Sequence, residues 1–407
     1  MYNFLILSNG HGEDLSGATI GKELKRQGHN VEAMPLVGLG SFYTDNKISL
    51  VGKQKEFTTG GLGYTSLYGR VTEILQGQII FLIKNLFRLF FVAKKYDFLL
   101  VVGDVVPILG AWLTNLPVIV YLVAYSSHYE GRLRMPWPSQ LCLSSKRFMA
   151  IYCRDQLTCT DLNRQLSKPV FFLGNPFMDE VLKPTTNLSS FSKRLGILPG
   201  SRMPELAKNI SLLLKVVTFL PETYFQNNQL SINMALVRSL DNSRLKDLAD
   251  FLGWNFLPSK EVKEPDQLLL GDHKINIYRD SFVEVLQSSD IVLAMAGTAS
   301  EQAVGLSKPL VQLPGEGPQF TLQFAEAQRR LLGPTVFCAD YHSSNPNILQ
   351  NTAQLILELF SRIDSDNSLQ DECNYQAQNR LGNIYGVTEK MVMHMIEVIL
   401  DPNYLRG

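Results

Sequence analysis

The sequence predicts an α/β protein of two successive domains, each built on a parallel sheet with helices over both faces. Three observations predict it. Short, continuous apolar runs alternate with helical patterns along the chain, as strands buried on both faces of a parallel sheet require. The alternation breaks at a Thr-, Ser- and Asn-rich stretch, Lys183–Ser192, and restarts beyond it. In the second half, two apolar runs each end in a glycine-containing turn that opens a helical pattern: Ile197-Leu198-Pro199-Gly200-Ser201-Arg202, and Ala294-Met295-Ala296-Gly297-Thr298-Ala299-Ser300-Glu301-Gln302.

The elements follow in order. Phe4–Leu7 reads as a strand, then a helix runs from about Leu15 to Gln27, closed by Gly28-His29. Val31–Pro35 is the next strand. The Gly-, Thr- and Ser-rich segment Leu36–Tyr68 reads as loops with little regular structure. A helix over about Val71–Lys95 leads into the strand Phe98–Val102, which ends in Gly103-Asp104; a strand at Pro117–Val123 follows. Beyond the linker the strands are Leu195–Leu198, Leu230–Val237, Lys274–Tyr278, Asp290–Met295 and Pro309–Leu313, with helical patterns between them. A last helix covers about Val387–Leu400 and can lie against either domain. The predicted boundaries are 1–182 and 183–386, followed by the terminal helix in 387–407.

Length and composition agree. The 407 residues suit two domains, and 45% hydrophobic residues can build their cores without staples. The 38 basic and 38 acidic residues cancel, which argues against a general nucleic-acid binder. Cys142, Cys153, Cys159, Cys338 and Cys373 are odd in number and lack metal-ligand spacing, so free thiols in a reducing compartment are expected. The chain enters its first strand with no signal-peptide pattern. Its longest apolar stretch, Ile79–Ala93, is interrupted by Lys84 and Arg88. That is short of the roughly 20 apolar residues a membrane span needs. The expected location is the cytoplasm, either free or peripheral on the cytoplasmic face of a membrane.

The two glycine turns suggest a ligand. Such a turn leaves unpaired backbone N–H groups at a helix N-terminus, where the helix dipole favours an anion. Two of them facing one ligand can hold a diphosphate, with Arg202 as a charge-assisted donor and the Thr298 hydroxyl as another. The structural alternative is a pair of tight turns that need small residues for packing. After the first strand, Asn9-Gly10-His11-Gly12-Glu13-Asp14 lets backbone approach a ligand closely. It is not GxGxxG, so no dinucleotide fingerprint is present.

Several of these segments together resemble lipid-A-disaccharide synthase and, more closely, related glycosyltransferases of unassigned substrate found mainly in cyanobacteria. The segments are Asp14-Leu15-Ser16-Gly17-Ala18, Gly174-Asn175-Pro176, Leu198 through Glu205, and Gly297-Thr298-Ala299 through Lys308-Pro309, in the same order and spread over most of the chain. The resemblance implies a GT-B fold, two Rossmann-like domains with the active site in the cleft between them. It implies inverting transfer from a UDP-sugar, a co-substrate rather than a cofactor, without a metal. The acceptor is lipid-linked or otherwise amphiphilic. The donor is held by the second domain: Gly200, Ser201 and Arg202, then Gly297, Thr298 and Ala299. A family Glu for the ribose falls at Gln302 here, with Glu301 beside it. In the loop Gly315-Glu316-Gly317-Pro318-Gln319, Gln319 is expected near the sugar or diphosphate.

On the acceptor side, Gly10 stands where the family has a Glu, and His11 and Glu13 are the nearby polar substitutes. Inverting transfer needs a base to deprotonate the acceptor hydroxyl. A histidine titrates in the right range by nature. Asp104 matches an Asp essential in the synthase, and desolvation at a strand end would raise its pKa. Its bland alternative is a helix cap. The basic residues Arg132, Arg134, Lys146, Arg147 and Arg154 form either a surface for an anionic headgroup or a solvated face. Residues 79–95, with Lys84, Arg88 and Lys95 on one helical face and Phe81, Phe87, Leu89, Phe90 and Phe91 over the rest, form either an interfacial membrane helix or a core helix. A homodimer stays open. The competing functions are a UDP-sugar 2-epimerase and a catalytically silent, nucleotide-sugar-binding membrane scaffold.

Overall fold

The computed structural model describes residues 1–55, 78–186, 188, 191–203, 205–261, 264–315, 321–340 and 347–401. The chain divides into two compact units. One joins Met1–Asp179 with Asn379–Gly407, and the other is Glu180–Gln378.

The first unit is built on seven strands: β1 (Asn3–Ser8), β2 (Asn30–Pro35), β3 (Ser49–Leu50), β4 (Phe98–Val102), β5 (Val118–Leu122), β6 (Phe148–Cys153) and β7 (Val170–Phe171). They lie in the order β3-β2-β1-β4-β5-β6-β7 and every pairing is parallel. β4, β5 and β6 are buried at every position, which is why their apolar runs show no alternation. The chain steps outward from β1 to β3 and returns beside β1 as β4. The order therefore reverses between β1 and β4.

The second unit has eight strands: β8 (Lys193–Leu198), β9 (Leu230–Ala235), β10 (Asn255–Leu257), β11 (Asp266–Leu270), β12 (His273–Tyr278), β13 (Ile291–Ala294), β14 (Leu310–Gln312) and β15 (Val336–Phe337). Their order is β10-β11-β12-β9-β8-β13-β14-β15. The β10-β11 and β11-β12 pairs are antiparallel, and the pairs from β12 to β15 are parallel. Here the order reverses between β8 and β13. One core cluster surrounds this sheet, with Trp254 fully enclosed.

The helix Val387–Leu400 completes the first unit. Val387, Met391, Val392, Met395, Val398 and Ile399 belong to the cluster formed by Phe4, Ile6 and Tyr152. The return is pinned by polar groups. Asn175 Nδ2 donates to Arg154 O and Leu381 O, each at 2.8 Å, while its Oδ1 accepts from Tyr121 Oη at 2.6 Å. Asp179 accepts from the backbone N–H groups of Gly386, Val387 and Thr388 at 2.8–3.0 Å, capping that helix. Gly174 has φ +107°, and a Cβ there would stand 2.6 Å from Val387 Cγ2. The Gly174-Asn175-Pro176 segment thus has a structural reason of its own.

Some boundaries differ from the sequence reading. The first helix is His11–Arg26, not Leu15–Gln27, so His11, Gly12 and Glu13 lie in a helical turn rather than a loop. Gly10, the N-cap residue, accepts Asp14 N–H at 2.8 Å and lets the helix start early. The segment after β2 contains the helix Ser41–Asp45 and β3; residues 56–77 lie outside the described residues. The helix before β4 is described over Gln78–Val92, and Ala93–Lys95 form a 3-10 turn, which separates Lys95 from the helical face. Strands β6, β7, β10, β11 and β15 go unread in the sequence. Arg154 leaves the basic stretch: it is 4% exposed and donates to Val123 O at 3.1 Å.

The helix His11–Arg26 packs tightly where Gly17 faces Tyr43. A Cβ at Gly17 would stand 2.2 Å from Tyr43 Oη, which is fully buried and donates to Ser8 Oγ at 2.9 Å. Gly17→Ala is therefore expected to cost about 1–3 kcal/mol through overpacking. In Gly17→Ala/Tyr43→Phe, which removes the obstructing oxygen, the loss should be smaller than the sum of the two single losses. Urea melts of the three variants check this, and additive losses would contradict it.

Candidate functional site

Polar residues gather at both places where strand order reverses. Outside the carboxyl ends of the strands at such a point, the connections leave in opposite directions and open a crevice for ligands.

In the first unit the crevice lies beyond β1 and β4. Asp104 follows β4 and caps the helix Val105–Leu113: its Oδ1 accepts Val106 N–H at 2.9 Å. Asn9, just past β1, donates from Nδ2 to both carboxylate oxygens at 3.1 and 3.2 Å. Burial pushes the Asp104 carboxyl above its ordinary value, and the hydrogen bonds from Val106 and Asn9 hold it back in part. Glu13 folds over the same turn. A Cβ on Gly10 would stand 2.4 Å from Glu13 Oε2, and one on Gly103 would stand 3.4 Å from Glu13 Cγ. Gly103 also has φ +146°. Asn9, Gly10, Glu13 and Asp104 are thus brought together. Tyr125 Oη accepts Val105 N–H at 2.9 Å, and burial together with the Asp104 charge raises its phenol.

His11 is exposed, with its ring 4.7 Å from that of Phe42. Gly12 is in the same first helical turn. Arg132 and Arg134 are exposed on a separate loop, where Arg132 lies beside the Asp161 carboxylate and Asp161 accepts Leu133 N–H at 2.5 Å. Among the described residues no hydrogen bond or ion pair joins these arginines to the Asn9–Asp104 cluster.

In the second unit the crevice lies beyond β8 and β13, which are hydrogen-bonded neighbours. The two glycine turns therefore stand side by side. Gly200 has φ +91°, and a Cβ there would stand 2.9 Å from Met295 O. Only glycine meets both conditions. Asn209, 1% exposed, donates to Pro199 O at 2.9 Å and ties the first turn to the helix Glu205–Val217. Arg202 is half-buried beside Ser201, which is exposed, and Arg202 O accepts Leu206 N–H at 2.8 Å.

The second turn opens the helix Thr298–Gly305. Among the described residues the Gly297, Thr298 and Ala299 amides have no backbone acceptor, as expected for a first helical turn. A Cβ on Gly297 would meet no described atom within 4 Å. Glu301 is half-exposed and Gln302 is 8% exposed, so Glu301 is the more accessible of the pair. Gln319 lies outside the described residues. Among the described residues no group of three or more His, Cys, Asp and Glu side chains stands close enough to hold a metal ion.

Sequence reasoning assigned no role in the site to Asn9, Asp14, Gln312 or Gln328. Asn9 carries no signal apart from its place after β1. Asp14 is 4% exposed, and its Oδ1 accepts from Ser8 Oγ at 2.6 Å. Ser8 in turn accepts from Tyr43. Burial first, then the neighbouring Glu13 charge, raises the Asp14 carboxyl to about 7 despite the Ser8 hydrogen bond.

With this geometry in place, comparisons with known proteins are informative. No protein-family model matches the chain, and no curated protein sequence matches it. Solved structures do. CalG4, the calicheamicin glycosyltransferase, superposes with a TM-score of 0.61 at 15% identity, covering 98% of each chain. The co-structure of S. aureus MnaA with UDP gives 0.54 at 15% identity, again over 98% of each chain. UDP-GlcNAc 2-epimerase from Neisseria meningitidis bound to UDP-GlcNAc gives 0.53 at 17% identity, covering 98% of this chain and 99% of that one. The likeness shows the fold: two Rossmann-like α/β domains of the GT-B class.

Asp14 gives a pH prediction. In the folded protein its carboxyl holds a proton up to about pH 7; unfolded, it ionises near 3.8. Between these values the folded state binds more protons, so the Asp14 contribution to stability falls as pH rises from about 4 to about 7 and then levels off. Asp14→Asn escapes that fall. Its stability relative to wild type should increase across this window by up to about 4 kcal/mol, at about 1.4 kcal/mol per tenfold change in proton affinity. Urea midpoints at pH 5 and pH 8 measure it, and an unchanged gap would refute the burial of a protonated Asp14.

Proposed function

We propose that this chain is a nucleotide-sugar enzyme: a GT-B hexosyltransferase that takes a UDP-sugar at the paired turns of the second unit and transfers the sugar, with inversion, to a lipid-linked or amphiphilic acceptor. The observation that carries this is the adjacency of the Gly200 and Gly297 turns at the ends of neighbouring strands. Two helix N-termini side by side suit the two phosphates of one diphosphate, and Arg202 adds a charge-assisted donor. Two similar structures hold UDP or UDP-GlcNAc, and the resemblance to lipid-A-disaccharide synthase names the same donor. No step in this reading calls on a metal.

In the transfer, the acceptor oxygen bonds to the anomeric carbon as the bond from that carbon to the UDP oxygen breaks. UDP leaves with the bonding pair, and the hydroxyl proton passes to a carboxylate. Asp104 suits that role because burial raises its proton affinity, with Asn9 orienting it and Glu13 beside the same turn. Arg202→Ala should weaken UDP binding about tenfold or more, with the melting temperature unchanged. Asp104→Asn should keep UDP binding and lose about 10²–10⁴ in turnover. Full UDP affinity in the first variant removes the donor site, and wild-type turnover in the second removes Asp104 from the chemistry.

The 2-epimerase reading is favoured by the superposed structure from Neisseria meningitidis, which is a UDP-GlcNAc 2-epimerase. The two readings separate in one tube. Incubated with UDP-GlcNAc and no acceptor, an epimerase converts the sugar, whereas a transferase releases UDP only when an acceptor lipid extract is added. UDP binding with neither outcome, over a broad acceptor panel, would support the silent scaffold.

The acceptor class is supported by the helix Gln78–Val92. It buries Asn85 and Leu89 and leaves Ile80, Ile83, Phe87, Phe90 and Phe91 exposed, Phe87 at 66% and Phe91 at 69%. Lys84, Arg88, Lys94 and Lys95 are the charges here, and residues 78–95 contain no acid. An aromatic face on a segment whose only charges are cations suits the boundary of an anionic bilayer. Among the described residues no helix is long and apolar enough to cross a membrane. The protein should sediment with vesicles containing phosphatidylglycerol, and Phe87→Asp/Phe91→Asp should abolish this without changing UDP affinity. Equal sedimentation of both proteins would remove the membrane from the reading.

A further inference from the structure

Beneath the second turn lies a pair of buried amides. Gln312, the last residue of β14, is 3% exposed, and Gln328, on the helix Leu322–Leu332, is 6% exposed. Gln328 Nε2 donates to Gly297 O at 3.1 Å and to Ala296 O at 3.3 Å. Its Oε1 accepts from Gln312 Nε2. Both Gln328 amide hydrogens are taken by carbonyls, so its oxygen must face Gln312 and Gln312 must donate. The cost is visible: Gln312 Oε1 is buried with no hydrogen-bond partner. Ser300 Oγ adds a second donor to Ala296 O at 2.6 Å. All of these groups belong to the second unit.

The consequence follows from peptide geometry. In a planar trans peptide the C=O and the next residue's N–H point in opposite directions. The carbonyl of Ala296 shares its plane with Gly297 N–H, and that of Gly297 with Thr298 N–H. Holding both carbonyls against Gln328 turns both N–H groups away from it; a Cβ on Gly297 would meet no described atom within 4 Å. The Gly297 carbonyl also accepts Ser300 N–H at 3.0 Å and Glu301 N–H at 3.4 Å, so the helix and Gln328 together fix the peptide planes of this turn, and amides set in advance bind an anion without a reorganisation cost.

We infer that Gln328, held by Gln312, is the positioning residue that aims the Gly297 and Thr298 amides at the donor diphosphate. It touches no substrate and acts through the turn. This rests on the donor site proposed above and adds to it what makes the turn selective for a charged phosphate.

The test compares UDP with uridine by calorimetry in wild type, Gln328→Leu and Gln312→Leu/Gln328→Leu. The double variant guards against misfolding, since removing both partners of a buried pair is close to neutral for stability. Wild type is expected to bind UDP much more tightly than uridine. In both variants that ratio should fall about tenfold, with uridine affinity close to wild type, and in the double variant the melting temperature should also stay close to wild type. A full UDP-to-uridine ratio in the variants overturns the inference. So does a parallel loss of both ligands, which marks a merely structural pair. A wild type with no preference for UDP overturns the donor site itself, and this inference with it.

Discussion

A parallel strand buried on both faces must deliver its polar business to its ends, and the rest of this molecule depends on that constraint. β4, β5 and β6 have no exposed position, and β13 and β14 are buried throughout. Chemistry is therefore confined to the connections, and strand order decides which connections open into a crevice. In each unit the order reverses once beside the first strand, at β1/β4 and at β8/β13. Each reversal carries one of the two polar clusters.

The clusters have opposite character. Beyond β1 and β4, three carboxylates, Glu13, Asp14 and Asp104, lie close in the fold, and burial raises two of them. The donors to Asp14 and Asp104 are neutral: Ser8 to the first, Asn9 and a backbone N–H to the second. Such a setting favours holding protons over holding anions. Beyond β8 and β13 stand the first-turn amides of the helix Thr298–Gly305, with the half-buried Arg202 on the neighbouring turn. The first cluster is thus rich in carboxylates, and the second in backbone amides.

Much of this was legible in the sequence because it is written in runs. β1, β2, β4, β5 and the parallel strands β8, β9, β12, β13 and β14 are apolar stretches bounded by turn residues, and both glycine turns could be read directly. What escaped has physical reasons. β6 is flanked by Lys146-Arg147 and Arg154-Asp155, so its apolar run is set inside a charged stretch, although Arg154 is itself buried. β7 and β15 are two residues long and leave no period. Asp14 and Gln328 each sit at a polar position of an amphipathic helix, where a solvated side chain is the natural expectation; only the approach of β1, the Ser41–Asp45 helix or β14 buries them. Asn9 matters through a bond to a residue 95 positions away, which no local pattern encodes.

The return of the chain to its first unit has a consequence for synthesis. Seven strands are complete by Phe171, yet part of their covering, Val387, Met391, Met395 and Ile399, comes from the last described helix. On a ribosome the first unit waits, with one flank of its sheet uncovered, Asn175 lacking Leu381 O and Asp179 lacking the Gly386, Val387 and Thr388 amides, while the whole second unit is made. The second unit, contiguous from Glu180 to Gln378, meets no such delay. The unit begun first is therefore finished last, and the nascent chain carries an open apolar flank through some two hundred residues of further elongation, the interval in which a holding chaperone has something to hold.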